Sequence, residues 1–503
     1  MVFSKVSNNP ELFDESFTNY IESEYIKIGM GHHRTHHHPP ISSGTNRRRK
    51  GSIFYRKDST SDLFADARIG STPSQEVLDL LGDIKRWDFD MFRLTELTGH
   101  PLVVIGQTTI AGLGLLENLR LDSYKLRTFL LSIEDAYFVK NPYHNCIHAS
   151  DVTQTFYYFL RECEMGSHLS GEVALTCLLA AAIHDVAHPG VTGKYLIATQ
   201  DDLAITYNDK SPLENMHLAT AFSFLRQEGC NFLDGFSKDH RASVRHTLIE
   251  MVLATDNDQH FEIMKRAEEE LGEYERRRDE SEKKMSSPDN SSGEEEVGEK
   301  HEEEEEVTEA EKIKKLISPL QPILLKVALH AADISNPAKD WDIYNHWTDR
   351  LMEEFYGQGD KERDHGIPIS FAFDREDPVP RPKFQQGFLF AIVEPLYAGL
   401  NKFPQIDVSH PLGVLRENVG RWKRIQDGEE EYESEEVFVP THELLRNRST
   451  YEEMDEDDIG KESSPNHEGI GDDNDEEDEE PTTPTGHAPI LIQSRSPFQQ
   501  RKK

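Results

Sequence analysis

Three short stretches hold the side chains best suited to chemistry. In NPYHNCIHASD, Asn141 to Asp151, His144 and His148 stand four residues apart, and Asp151 follows three later. Asn141 as N-cap and Pro142 at the first helical position would start a helix there. His144 and His148 would then share one helical face. A histidine pair at this spacing is common on exposed helices. Here, however, Tyr143, Ile147, Val152 and Phe156 surround it, and side chains of that kind turn the imidazoles inward, where they need partners. In AIHDVAHPG, Ala182 to Gly190, adjacent His184 and Asp185 end the most hydrophobic helix of the chain, and Pro189 with Gly190 stops it. An imidazole and a carboxylate at such a place are costly unless they pair with each other or bind a metal. His188, one turn beyond His184, adds another nitrogen on the same side. In LHAADISNP, Leu329 to Pro337, Asp333 again closes an apolar helix just before a proline.

Each stretch alone has a plain structural explanation: a helix-surface pair, a His–Asp hydrogen bond, a solvated carboxylate at a helix end. Their repetition points further. Two imidazoles (His148, His184) and two carboxylates (Asp185, Asp333) make a reasonable ligand set for zinc. A second oxygen of Asp185 can bridge to a harder ion, Mg²⁺ or Mn²⁺, with water completing its shell. Two such ions close together share a hydroxide and clamp an in-line displacement at a phosphoester. His144 stays unligated and is free to serve as general acid.

Helices must position these groups. The run EVALTCLLAAAI, residues 172–183, and PILLKVALHAA, residues 322–332, are apolar nearly all round, the mark of buried helices. Val77, Leu78, Leu80 and Leu81 open a long region of helical periodicity, and Leu115, Leu116, Leu119 and Leu121 continue it. The expected fold is all-α, a compact multi-helix catalytic domain over residues 76–426. Residues 1–75 are polar, with His32, His33, His36, His37 and His38 and a basic run Arg47 to Lys50. That composition reads as a disordered arm.

Acidity is unevenly spread. The chain carries 93 acidic and 55 basic side chains, net −38, of which residues 267–312 contribute −13 and residues 427–480 contribute −21. The remainder is close to neutral, so the charge describes appendages: a structureless acidic insertion at 267–312 and a disordered tail over 427–503. Nucleic acid is not an expected partner, because that needs clustered positive charge. Cys146, Cys163, Cys177 and Cys230 lack paired spacing and are expected to be reduced core thiols. No apolar run reaches the roughly 18 residues of a membrane span, so a cytoplasmic location is the expectation.

The segments YHNCIHASDV, AAIHDVAHPGV, YNDKSPLEN, MVLATD, LHAADISNPAK and HWTDRLMEEFYGQGDKE, in this order, resemble the class I 3′,5′-cyclic-nucleotide phosphodiesterases over roughly residues 85–425. The resemblance implies hydrolysis of a cyclic nucleotide to its 5′-monophosphate. It assigns one metal to His148, His184, Asp185 and Asp333, a second to Asp185 and water, and protonation of the leaving O3′ to His144. His188, Glu214, Thr255 and Asp151 become outer partners of the metal site. Gln385, within KFQQGF, matches the glutamine that reads the purine edge, and Phe388 the aromatic that stacks on the base. Tyr143, Ile334, Tyr344, Trp347, Leu351 and Phe355 line the rest of the pocket. Asn336 stands where the cAMP-preferring branches carry asparagine, which implies cAMP over cGMP.

The chain also departs from the family pattern. Ala187 replaces the usual Asp of HDxDHPG, Gly193 a common Asn, Met216 a common His and Ser150 a common Ala. None is an expected metal ligand. In RRRKGSIFY, Ser52 follows a basic cluster that suits a cAMP-dependent kinase. Two other functions compete: an HD-type phosphohydrolase of another nucleotide, which needs only the His…His-Asp…Asp skeleton, and a cyclic-nucleotide sensor or scaffold without turnover.

Overall fold

A computed structural model of the chain describes residues 74–286, 316–432 and 439–445. The chain divides into two units, residues 1–456 and 457–503, and every described residue lies in the first. Ser52, the histidine run and the basic cluster lie outside the described residues. Among the described residues there is helix and loop and no strand, as the periodicity requires.

The helices that carry or brace the candidate site are α1 (Pro101–Gly112), α2 (Cys146–Arg161), α3 (Gly171–Ile183), α4 (Pro212–Phe224), α5 (Lys238–Val252), α6 (His260–Ser286), α7 (Gln321–Asp333), α8 (Trp341–His365), α9 (Arg381–Phe388), α10 (Glu394–Leu400), α11 (Ser409–Gln426) and α12 (Thr441–Leu444). Helix α2 packs on α1, α3 and α7, and α7 also packs on α5 and α10. Helix α3 starts at a serine cap, with Ser170 Oγ accepting from the Val173 amide. Every residue from Ala174 to Ile183 is buried. Each leucine or isoleucine in that run stabilises the core by about 2 kcal/mol, which holds the helix end that carries His184 in one place. Pro322 opens α7, Ala328, Leu329, Ala331 and Ala332 are fully buried, and the helix ends on Asp333.

Beyond α9 the chain passes through a π-helical turn, Leu389–Val393, before α10. Pro395 has no amide hydrogen for the carbonyl four residues earlier, and the Glu394 amide reaches back to Leu389 O instead.

Three expectations need correction. First, α2 begins at Cys146, with Asn145 as its cap; the Asn145 carboxamide accepts from the amides of Ile147 (2.9 Å) and His148 (3.3 Å). Asn141 is not the cap: its Nδ2 donates to the carbonyls of His144 (2.8 Å) and His188 (2.7 Å), and the helix starts only at Cys146. His144 therefore sits in the turn before the helix rather than on its face. Second, the acidic segment begins as regular helix: α6 runs to Ser286. Ile263, Ala267 and Leu271 form a buried stripe along it, and Arg266–Glu270 and Arg277–Glu273 pair one turn apart. Such pairs each contribute a few tenths of a kcal/mol. The remainder, 287–312, lies outside the described residues. Third, within 427–503, residues 439–445 dock on the core: Thr441, Leu444 and Leu445 are buried.

The candidate metal centre and its neighbours

Four side chains from three segments meet at one point. The Nε2 atoms of His148 and His184 lie 3.3 Å apart. Asp333 Oδ1 lies 3.1 Å from His148 Nε2 and 3.2 Å from His184 Nε2. Asp185 Oδ2 lies 3.6 Å and 3.2 Å from the same two nitrogens. Both imidazoles are fully buried, and the carboxylates are nearly so. The four ligand atoms all fall within 4.8 Å of one another. Sequence spacing predicted these four residues as a set, and the fold brings them together.

The tautomers show that this donor set fits a cation. His184 Nδ1 donates to Ala181 O at 2.8 Å, which leaves the Nε2 lone pair facing the cluster. His217, on α4, donates from Nδ1 to Val186 O at 2.7 Å, so its Nε2 also presents a lone pair. That buried Nε2 has no hydrogen-bond partner among the described residues, yet it faces Asp185 Oδ1 at 3.5 Å. Burial pushes the His217 pKa down to about 4, so the ring is neutral. Carboxylates and imidazole nitrogens gathered in a buried hollow are favourable only with positive charge between them, which a bound cation supplies. Without an ion, burial opposes the His184 charge, but Asp185 and Asp333 raise its pKa well above the ordinary value, so the cluster calls for positive charge, a proton or a cation, at this point.

A second group adjoins the first. His144 Nδ1 contacts Glu354 Oε1 of α8, and Glu354 Oε2 accepts from the Tyr143 and His144 amides, both at 3.0 Å. Burial alone would lower the His144 pKa, but the Glu354 carboxylate raises it to about 9. Glu354, though buried, is in turn held near 2 by His144. His188 stacks on His144 at 4.0 Å. Burial first, then the His144 charge, lower the His188 pKa to about 3. The Gly190 amide donates to His188 Nδ1, which places the proton of this neutral ring on Nε2.

Sequence reading missed Glu354 and His217. Glu354 sits in an ordinary helical run, MEEF, and only the packing of α8 across the His144 turn sets it apart. His217 follows Met216, itself a departure from the family pattern.

The other expected residues fall in several places. Glu214 is on the first turn of α4, where burial and then Asp256 raise its pKa well above the ordinary carboxylate value. Thr255 is buried and donates to Val252 O at 2.8 Å. Asp151 does not join the ligand atoms. It accepts from Asn336 Nδ2 at 3.0 Å and lies 3.6 Å from the buried Lys339 ammonium. Tyr143 donates to Asn336 Oδ1 at 2.5 Å, so both ends of the Asn336 amide are engaged. The Tyr143 ring packs 4.7 Å from His148 and edge-on to Trp347 at 5.5 Å.

Around Gln385, the order of donors is set by the Trp422 indole. Trp422 Nε1 donates to the Tyr344 hydroxyl at 3.1 Å, so that hydroxyl donates onward to Gln385 Oε1 at 2.6 Å. Phe355 stacks on Phe373 at 4.1 Å. Ile334, Leu351 and Phe388 are half-buried at the edge of the core. All four cysteines are buried and free, as expected. No described helix is long and apolar enough to cross a membrane.

Among the described residues, an all-helical body brings two imidazoles and two carboxylates together at buried helix ends, with another imidazole held on a carboxylate alongside. Comparison with known proteins gives the family. The 3′5′-cyclic nucleotide phosphodiesterase family model (PDEase_I) matches residues 143–411, and the chain belongs to that family. Among similar proteins, the mouse (Mus musculus) "Dual specificity calcium/calmodulin-dependent 3′,5′-cyclic nucleotide phosphodiesterase 1C" is 35% identical over 344 residues, 68% of this chain and 43% of that protein. The bovine (Bos taurus) and human (Homo sapiens) proteins of the same description, 1B, are 36% and 35% identical over 334 residues, 66% of this chain and 54% of each. The chain thus spans about half the length of the curated relatives it matches.

Proposed function

We propose that this protein hydrolyses a 3′,5′-cyclic nucleotide, cAMP in preference to cGMP, to the 5′-monophosphate. The observation that carries the proposal is the meeting of the His148, His184, Asp185 and Asp333 donor atoms within 4.8 Å, beside His144 held on Glu354. Those four ligands would hold two divalent cations, zinc and magnesium or manganese, which supply an activated water and offset the phosphodiester charge when bound.

The protein's own groups supply the rest. Water oxygen joins phosphorus as the P–O3′ bond breaks, and the departing O3′ needs a proton. Glu354 occupies His144 Nδ1, so Nε2 is the nitrogen left to donate. Because His144 stays protonated to about 9, it carries that proton throughout the neutral range. Neutral His188 packs against the His144 ring without adding a competing charge.

Base choice rests on Gln385 and Asn336. Tyr344 pins the Gln385 carbonyl oxygen, which removes the free amide rotation that would serve adenine and guanine alike. Asn336, fixed between Asp151 and Tyr143, adds a second polar group of set orientation. A dual-specificity reading has one observation in its favour, the names of the relatives above.

The experiment is direct. Purified protein is incubated with cAMP and with cGMP, with and without chelator, and the 5′-monophosphates are quantified. Chelator-sensitive AMP formation at the higher kcat/KM is expected. No turnover of either nucleotide overturns the hydrolase reading, and equal values or a cGMP preference overturns the base assignment. Asp333→Ala should abolish hydrolysis with the helical circular dichroism retained, whereas a sensor would have no turnover to lose. We extend the proposal to Ser52 as a target of cAMP-dependent kinase. Phosphate there adds about −1.5 to −2 charge to the N-terminal arm. Unchanged activity after stoichiometric phosphorylation would count against it.

A further inference from the structure

We infer that residues 439–445 form a strap that fixes the turn bearing His144, and that Thr441 is a positioning residue for proton delivery. The inference rests on the reading of His144 as the proton donor.

The turn from Asn141 to Asn145 is held on three sides. Helix α8 supplies two of them, one helical turn apart. Arg350, fully buried, donates to Pro142 O at 3.2 Å, and Glu354 binds the Tyr143 and His144 amides. The third side is the tail segment. Arg350 also donates to Val439 O at 2.7 Å, so the same guanidinium joins the turn to the strap. The Thr441 hydroxyl donates to Asn141 O at 3.1 Å, and it accepts from Asn145 Nδ2 at 3.1 Å and Arg350 at 3.3 Å. A hydroxyl has one hydrogen and two lone pairs, and here all three are used.

Both asparagines act on the catalytic groups. Asn145 caps α2 at the amide of the ligand His148, and the Asn141 carboxamide ties His144 O to His188 O. Thr441 therefore bonds to both ends of the turn that sets where His144 stands. Helix α12, four residues long, has no stability of its own, because a single turn barely offsets nucleation. Buried Leu444 and Leu445 and the Thr441 bonds must hold it in place. A misplacement of about 1 Å at a reacting group can cost about a hundredfold in rate, so loosening this strap should be felt at the proton transfer.

The test compares two substrates in the full-length, metal-loaded protein. One is the cyclic nucleotide. The other is its analogue with sulfur in place of the bridging 3′ oxygen. In the first, the P–O3′ bond breaks and O3′ takes the His144 proton; in the second, the P–S bond breaks and the thiolate leaves unprotonated. Thr441→Val keeps the side-chain shape and removes all three hydrogen bonds. It should lower kcat on the oxygen ester by about 10- to 100-fold, leave KM and sulfur-ester turnover unchanged, and be rescued by Thr441→Ser. Equal losses on both esters, or no loss on either, overturn the inference.

A chain ending at residue 432 removes the strap without placing an unmatched side chain in its seat. It should show the same selective loss, and full oxygen-ester turnover in it would overturn the inference. His144→Asn separates the two claims. A selective oxygen-ester loss there, with none in the Thr441 variants, refutes the strap alone. Equal losses on both esters there refute the general acid, and the strap with it.

Discussion

The pairing of His144 with Glu354 converts a histidine that would half-titrate near neutrality into a group protonated well beyond it. Burial works against the charge, and the facing carboxylate outweighs burial, leaving the pKa at about 9. The sign for activity follows. The donor is protonated below that pKa and deprotonated above it, so the alkaline limb of kcat/KM should fall near pH 9. Glu354→Gln removes the negative charge while keeping acceptor geometry. The limb should move toward the ordinary histidine value, roughly 6.5, and the pH profile of kcat/KM measures it. An unmoved limb would mean that another group sets it. At this scale the four residues whose donor atoms the fold gathers were legible in the sequence. Adjacent His184 and Asp185 after an all-apolar run, and Asp333 after another, are chemically expensive placements visible without a fold. Glu354 carries no such sign, since a glutamate on a long polar helix is ordinary until another element crosses it. Asp151, which the resemblance places among the outer partners, binds the buried Lys339 and Asn336, contacts that only the fold reveals.

Among elements, α3 is the most exacting. Its alanines and leucines are buried on every side, so there is little room to relax around a loss. Leu178→Ala should destabilise the protein by about 2–5 kcal/mol in denaturant unfolding. The turn after α3 has a different weakness. Ala187 sits at φ 64°, left-handed backbone that a side chain resists and that Asp or Asn tolerates better than Ala. Its departure from the family pattern thus falls on a strained residue. Ala187→Gly should raise stability by about 1 kcal/mol in the same assay. Element boundaries were less legible than element types. Asn141 and Asn145 are equally good caps by residue type, and only the carbonyls of His144 and His188, brought near by folding, decide between them. In α6, heavy acidity masked the buried stripe of Ile263, Ala267 and Leu271. In the tail, VFVPTHELL is a short apolar run inside an acidic stretch, and it was outweighed by its surroundings.

Across the whole molecule, a site that gathers two carboxylates and two inward-facing imidazoles should make the folded state depend on bound cations. A ligand that binds the native state at 1,000 times its Kd stabilises it by about 4 kcal/mol. Thermal unfolding followed by circular dichroism should therefore show a lower Tm after chelation, restored by adding back zinc with magnesium or manganese. An unchanged Tm would mean that these side chains do not bind cations in the folded protein. The all-helical architecture itself was plain from periodicity, because amphipathic and fully apolar helical runs recur from Gln75 onward. The way distant helices cross was not, since crossing depends on contacts between residues far apart in the chain.

His148 and Asp333, which nearly touch across the ligand cluster, are 185 positions apart along the polypeptide. During synthesis the ribosome must deliver nearly two-thirds of the chain before the fourth ligand exists. A cation offered to the growing product finds only a partial grip, from His148, His184 and Asp185. Binding through all four ligands must therefore wait until Asp333 has been made, and a product cut short before it would lack one of the four.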